Sequence, residues 1–142
     1  EFDAIVIAAA GVHRLGLAST ITQYLPLEVM LPAPGQGALA VQCRADDDGM
    51  LKQLRGLEDG AVRSATEAER GFLEGLGGGC AAPIAAFGRV QGGRLSVQGL
   101  VASTDGRRQL RVTAEGPPED GHRLGLALAA EARAKGAEAL LA

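Results

Sequence analysis

Three consecutive glycines, Gly77–Gly79, separate a strongly helical stretch from a run of strand-forming segments, and they stand directly before Cys80. Glycines permit positive φ angles and remove every side chain that could block an approach to the main chain. A bulky group could therefore lie against this loop and join the sulfur. From chemistry alone, the thiol could be inert, could take part in redox reactions, or could form a covalent attachment.

The segment before the glycines predicts the clearest helix in the chain, which starts at Glu58 or Asp59 and runs to Leu76. The pairs Arg63–Glu67 and Arg70–Glu74 stand at i,i+4 spacing, which favours ion pairs on the exposed sides. Gly77 is well placed as the C′ residue that ends this helix. The apolar residues recur at steps of three and four and so share one face: Ala61, Ala65, Ala68, Phe72 and Leu76.

Three strands are predicted after the loop. Gly92-Gly93 is a two-residue hairpin signal between the first two, and apolar and polar residues alternate along the later ones. A final helix is predicted at Glu119–Lys135. From about Glu58 onward the sequence therefore predicts a small α+β domain, in which helices pack on a three-stranded antiparallel sheet. The predicted strands are Ile84–Gln91, Arg94–Ser103 and Arg107–Ala114.

The chain before Glu58 has a different pattern. Phe2–Ala8 and Ala38–Arg44 are short apolar runs, typical of strands covered on both faces of an α/β sheet. A helical turn is predicted at Val12–Leu17, and Cys43 is predicted to be a buried structural thiol. Because a buried strand with nothing before it would have no partner, the sequence suggests a fragment of a longer protein.

Two features of this first part could contact a ligand. Arg14 follows the first predicted strand, at the carboxyl end where ligands usually bind in open α/β sheets. Its guanidinium would suit an anionic ligand, although an ordinary surface arginine is the alternative. The turn at Pro32–Gly37 is either a linker between lobes or a backbone surface that faces a ligand.

Composition argues against several classes of protein. The 142 residues carry a net charge of −3, whereas binders of nucleic acid or membrane surfaces are normally basic. Two histidines and two cysteines are too few and too scattered for a zinc site, and Asp46–Asp48 is interpreted as helix caps rather than metal ligands. No apolar run reaches the roughly 18 residues that a membrane span needs, so a cytoplasmic location is expected.

Four stretches, in order and at matching spacing, resemble the carboxyl-terminal part of the porphobilinogen deaminase family, also called hydroxymethylbilane synthases. The most specific is the Gly-Gly-Cys-x-x-Pro-Ile sequence at Gly78–Ile84. All four come in the family's order and at its spacing, which makes the resemblance far stronger than a lone Gly-Gly-Cys. They are Phe2–Gly16, Leu31–Ala38, Thr66–Arg70 and Leu76–Ile84.

The resemblance implies an enzyme of haem biosynthesis. Such an enzyme adds four porphobilinogen units to a dipyrromethane primer, with loss of ammonia, and releases the linear tetrapyrrole hydroxymethylbilane. Cys80 matches the cysteine that carries this cofactor through a thioether bond, and Arg14 matches an arginine that binds its carboxylates. The resemblance also implies that Gly79, next to Cys80, is a cofactor-binding residue. No metal is implied.

The family layout implies a fold that is part α/β and part α+β. Residues 1–31 would complete a second α/β domain, 32–57 would return to the first, and 58–142 would form the cofactor-attachment domain. The first two segments would be remnant strands of periplasmic-binding-protein-like domains. The catalytic aspartate would lie in a missing amino-terminal half, so no catalytic residue is assigned. That half, porphobilinogen and pyrrole oligomers are the expected partners of a cytoplasmic, monomeric enzyme.

Two alternative hypotheses stay open. The chain could be a non-catalytic half of a two-lobed anion-binding protein, with Arg14 and Gly35–Gly37 as ligand contacts. It could also be a thiol redox module that uses Cys80, although no second cysteine is near it in the sequence.

Overall fold

A computed structural model describes residues 2–79 and 81–141, in two compact units that divide after Met30. The first unit, Glu1–Met30, contains a short helix, α1 (Ala9–Arg14), and a 3-10 turn at Ala18–Thr20. The second, Leu31–Ala142, is a mixed α/β domain. Its elements are α2 (Asp48–Arg55), α3 (Gly60–Gly75), β1 (Ile84–Gln91), β2 (Arg94–Ala102), β3 (Gln109–Gly116), α4 (Gly121–Ala134) and α5 (Glu138–Leu141).

The strands predicted at Phe2–Ala8 and Ala38–Arg44 do not form. Both segments lack strand pairing to any part of the chain that the structure describes. Their apolar side chains are exposed, with Ile5 73% and Leu39 93% accessible to solvent. A β-prone sequence becomes a strand only when another strand completes its hydrogen-bond ladder, and neither segment has that partner. Cys43 is accordingly half-buried rather than buried.

Aspartate side chains cap the N-termini of α2 and α3. Asp47 accepts a hydrogen bond from the backbone N–H of Met50 at 3.0 Å at the start of α2. Asp59 accepts hydrogen bonds from Ala61 and Val62 at the start of α3. These side chains satisfy N–H groups that the first helical turn leaves unpaired, so the interpretation of the aspartate cluster as caps is confirmed for Asp47.

One of the two ion pairs predicted on α3 forms. Arg63 Nη1 lies 3.3 Å from Glu67 Oε1, as predicted. The prediction of an ion pair between Arg70 and Glu74 is wrong. Glu74 Oε2 instead lies 3.0 Å from His122 Nε2 on α4. The closer partner of Glu74 is thus a residue of the neighbouring helix α4. The spacing of residues along α3 could not predict this contact.

The sheet has the order β1-β2-β3, with both pairs antiparallel. The predicted hairpin is confirmed, since Gly92 and Gly93 both have positive φ angles between β1 and β2. The third strand starts two residues later than predicted, at Gln109. One face of the sheet packs on α3 and α4, and its alternate residues form the core with Phe72 and Leu128.

Helices α3 and α4 approach so closely that glycines are required where they cross. A Cβ atom at Gly71 would stand 2.5 Å from the carbonyl oxygen of His122, and one at Gly125 would collide with the backbone of Ala68. Such contacts involve main-chain atoms, which cannot move aside. The helix α3 therefore packs tightly against both α4 and the sheet, and it provides a rigid base for the loop that follows. Over the residues described, no helix is long and apolar enough to cross a membrane.

Candidate functional site

A Schellman motif fixes the start of the loop after α3. The N–H of Gly77 donates to the carbonyl of Glu74 at 2.8 Å, and the N–H of Gly78 donates to Leu73 at 3.0 Å. Gly77 has a φ of +68°, the left-handed conformation that this motif places at C′. The prediction that Gly77 ends the helix is confirmed.

The three glycines of the loop have three different reasons to be glycine. Gly77 supplies the positive φ. At Gly78 an added Cβ would stand 2.5 Å from Ile84 Cδ1 and 2.8 Å from Leu73 Cδ1, so the backbone there is packed against the core. At Gly79 no atom lies within 4 Å of that position. Gly77 and Gly79 therefore both leave open space beside the backbone, and Gly79 is the one that adjoins Cys80 in the sequence.

The backbone after the loop is also fixed. Gly79 accepts a hydrogen bond through its carbonyl from Ala82 at 3.0 Å, and the carbonyl of Pro83 accepts one from Ala102 at the end of β2 at 2.9 Å. Gly79 and Ala81 are both exposed. Cys80 itself lies outside the described residues, so its role as a cofactor-binding residue stays a prediction. Its two neighbours in sequence are solvent-accessible positions on a well-packed domain.

Arg14 is the last residue of α1 and is exposed. Its guanidinium makes no ion pair with any described residue, so it is available for a carboxylate. The preceding residue is part of a pair that the sequence did not reveal: His13 Nε2 lies 2.8 Å from the hydroxyl of Tyr24, and the two rings stack. No periodicity links residues eleven positions apart in an irregular segment.

The N–H groups of the turn at Pro32–Gly37 are largely used within the protein. Gly35 donates to Glu69 Oε2 at 2.6 Å, Gln36 to the carbonyl of Ala33 at 3.0 Å, and Ala38 to that of Gly35 at 3.2 Å. An anion-binding nest needs adjacent N–H groups that point at the ligand. The N–H groups of Gly35, Gln36 and Ala38 are therefore not available to bind an anion, which argues against the anion-binding hypothesis for this turn.

Glu69 is a buried carboxylate that sequence reasoning passed over. Its second oxygen, Oε1, accepts a hydrogen bond from the N–H of Gly88 at 2.7 Å. Burial raises the pKa of Glu69 above its ordinary value, and the hydrogen bonds from Gly88 and Gly35 oppose that rise. A signal was present, since Glu69 stands four residues after Ala65 and three before Phe72, which places it on the buried face of α3.

Two family models match the chain. Residues 1–52 match the model described as porphobilinogen deaminase, dipyromethane cofactor binding domain. Residues 64–134, which include Cys80, match porphobilinogen deaminase, C-terminal domain. The cofactor-binding model thus covers the part of the chain before α3, and the C-terminal model covers most of the α+β domain with its loop.

Curated porphobilinogen deaminases are similar to this chain over nearly its whole length. The porphobilinogen deaminase of Synechococcus elongatus is 46% identical over 99% of the chain, and that of Geobacter metallireducens is 44% identical over 100%. The chain belongs to the porphobilinogen deaminase family, as the sequence motifs indicated. It spans 44% and 45%, respectively, of the length of these two relatives.

Proposed function

We propose that this chain is the carboxyl-terminal part of a porphobilinogen deaminase. The complete enzyme condenses four porphobilinogen units onto a cysteine-linked dipyrromethane primer and releases hydroxymethylbilane and ammonia. The observation that carries this proposal is the Gly-Gly-Cys-x-x-Pro-Ile sequence at Gly78–Ile84, which falls inside the match to the family's C-terminal domain.

Cys80 holds the cofactor in this proposal. Its sulfur would form a thioether bond with the methylene carbon of an aminomethyl pyrrole, so that a C–S bond replaces the C–N bond and the thiol proton leaves with the ammonia. The dipyrromethane, when bound, supplies the free pyrrole end that the reaction extends. The open space beside Gly79 supports this role, because a planar pyrrole needs access to the backbone next to the sulfur. The hydrogen bonds of Gly77 and Gly78 keep the loop from folding back over that space.

Arg14 binds carboxylates of the cofactor or of the growing chain. Each pyrrole unit of this pathway carries acetate and propionate groups, and a guanidinium grips a carboxylate with two parallel hydrogen bonds. The exposure of Arg14 and its lack of an ion pair with the described residues support this assignment.

The domain layout of the family accounts for the exposed apolar segments. Residues 1–31 belong to a second α/β domain, 32–57 to the first, and 58–142 to the cofactor-attachment domain, with periplasmic-binding-protein-like folds for the first two. The exposure of Ile5 and Leu39 supports this layout, since strands of an amino-terminal half would cover them. That half also supplies the catalytic aspartate, so this chain alone does not turn over substrate. The complete enzyme is cytoplasmic and monomeric.

Co-expression tests the proposal directly. The chain is produced together with the amino-terminal half of the Synechococcus elongatus porphobilinogen deaminase, and the product is assayed for linear tetrapyrrole formation and for intact mass. We expect activity and a mass increment of two pyrrole units on this chain. The C80S variant should lose the increment, and the control C43S should retain it. An active enzyme whose C80S variant carries the same increment would show that attachment is elsewhere.

A further inference from the structure

Glu69 is the only charged side chain that is buried in the part of the chain described, with 7% of its surface exposed. Its carboxylate accepts hydrogen bonds from Gly35 at 2.6 Å and from Gly88 at 2.7 Å. These partners lie 34 and 19 residues away in the sequence. One side chain on α3 therefore joins α3 to β1 and to the turn at Pro32–Gly37.

We call this set of contacts, from Glu69 to Gly35 and to Gly88, the Glu69 joint. The joint lies at the free edge of β1. Ala86 donates its N–H to the carbonyl of Pro32 at 3.1 Å, and Gly88, two residues on, donates to Glu69. The carboxylate thus takes the place that the carbonyl of a neighbouring strand would fill. The turn is attached to the domain at two points, one through the main chain and one through Glu69.

The chemistry of the joint calls for a carboxylate. Both partners are N–H donors, and a carboxylate offers two acceptor oxygens whereas an amide side chain offers one. Burying a charge is unfavourable unless hydrogen bonds compensate it, and an apolar residue would fill the same place without that desolvation. The presence of glutamate therefore points to a requirement for both hydrogen bonds.

The same helix and strand hold the loop of Cys80. The loop leaves α3 through Gly77 and enters β1 at Ile84, and Glu69 ties the turn to both elements. We infer that Glu69 is a positioning residue, which fixes the turn at Pro32–Gly37 to the elements that hold the Cys80 loop. It thereby fixes the course of the chain into the cofactor-attachment domain. This inference rests on the proposed function.

The expected consequence concerns turnover rather than cofactor attachment. Each addition requires the free end of the primer to meet catalytic groups in another domain, and small misplacements at a reacting centre are costly. A domain held only through Pro32 would present the primer in several orientations. Loss of the joint should therefore lower kcat while the primer stays attached and KM for porphobilinogen changes little.

The test uses the complete enzyme that carries this chain. The E69Q variant keeps the shape of the side chain and removes one acceptor. We expect its kcat to fall by about tenfold or more with less than about twofold change in KM, with the full cofactor mass retained. The matched control is E67Q, the same substitution two residues away on α3, where the side chain is 44% exposed and pairs with Arg63. Its kcat should equal that of the wild type.

A second pair of variants changes the turn at Pro32–Gly37 and keeps the Glu69 carboxylate. Gly35 and Gly37 both have positive φ angles, which alanine disfavours, so each substitution drives the backbone toward negative φ. At position 35 this change reorients the N–H that donates to Glu69, whereas the N–H of residue 37 makes no contact with Glu69. G35A should reproduce the loss of kcat, and G37A should not. Hydrogen exchange at the amides of Gly35 and Gly88 should accelerate in E69Q and stay slow in E67Q.

Two results separate the inference from the proposed function. If the wild-type enzyme is active and E69Q is folded, loaded with cofactor and equally active, the positioning role is overturned while the proposed function stands. If the wild-type enzyme forms no tetrapyrrole, the proposed function fails and the inference falls with it.

Discussion

The fully buried ring of Phe72 on α3 packs against Gly99 on β2, where an added Cβ would stand 2.7 Å from Cε1 of the ring. Gly99 pairs with Ala86 on one side and with Val112 on the other, so it lies at the centre of the sheet. The largest side chain of the core is therefore accommodated by the absence of a side chain opposite it.

Alanine at Gly99 should destabilise the domain. Overpacking of a dense core costs about 1–3 kcal/mol of unfolding free energy, because Phe72 cannot leave its position without strain. The measurement is the shift in the midpoint of denaturant unfolding. The control is G116A on β3, where an added Cβ would make ordinary contacts of 3.4 Å or more with Leu124. Equal stability of G99A and the wild type would contradict this account of the core.

Substitutions at Gly78 and Gly79 should separate packing from access in the Cys80 loop. G78A should lower the unfolding free energy by about 1 kcal/mol, since its Cβ would displace the terminal methyl groups of Ile84 and Leu73. G79A should change it by less than about 0.5 kcal/mol, as expected for a surface position. Thermal unfolding of both variants checks the prediction. A larger loss of stability in G79A than in G78A would show that the loop is packed differently.

Glu69 should make the stability of the domain fall as the pH rises. Burial raises the pKa of Glu69 above its ordinary value of 4.5, so the folded state binds the proton more tightly than the unfolded chain does. The stabilisation from this proton is complete below pH 4.5 and is lost as the pH rises through the folded-state pKa.

The matching measurement compares unfolding free energies of the wild type and E69Q from pH 4 to pH 7. We expect the wild type to lose stability relative to E69Q as the pH increases, because glutamine does not titrate. The E67Q variant is the matched control, because it retains the Glu69 carboxylate and should therefore show the loss of stability that this group causes. A difference between wild type and E69Q that is independent of pH would show that the pKa of Glu69 is not raised.

Arg14 should matter for binding of carboxylated pyrroles. In the complete enzyme, R14A should lower kcat/KM for porphobilinogen by about 10- to 100-fold, the loss expected for a bidentate charge-assisted contact. R14K should recover only part of the activity, because an ammonium group cannot form two parallel bonds with a carboxylate. R89A, at an exposed position on β1, is the control and should be as active as the wild type. Wild-type kinetics in R14A would exclude this role.

The parts of the fold that the sequence predicted are those set by local patterns. The apolar face of α3, the end of that helix at Gly77 and the hairpin at Gly92-Gly93 each follow from residues within a few positions of one another. Phe2–Ala8 and Ala38–Arg44 have the same kind of strand pattern, but a strand also needs a neighbour to pair with. A pattern within one segment carries no information about that neighbour.

The candidate site divides in the same way. The motif predicts Cys80 as the cofactor-binding residue, and the local sequence predicts Gly77 as the end of the helix. The reason for glycine at position 78 was not predicted, because it depends on packing against Leu73 and Ile84. The role of Glu69 was hidden, since Gly35 and Gly88 are distant in sequence and donate through their backbones. Every residue except proline has a backbone N–H, so the residue type does not show which positions donate to Glu69.

The hydrogen bonds at the free edge of β1 also bear on aggregation. An exposed strand edge with unpaired N–H groups can recruit a strand from another molecule, which is a common route to aggregation. Here the carbonyl of Pro32 and the carboxylate of Glu69 occupy the N–H groups of Ala86 and Gly88. The stretch Ala86–Gly88 of this edge, which belongs to the strand that follows the Cys80 loop, is thus closed to edge-to-edge pairing with another molecule.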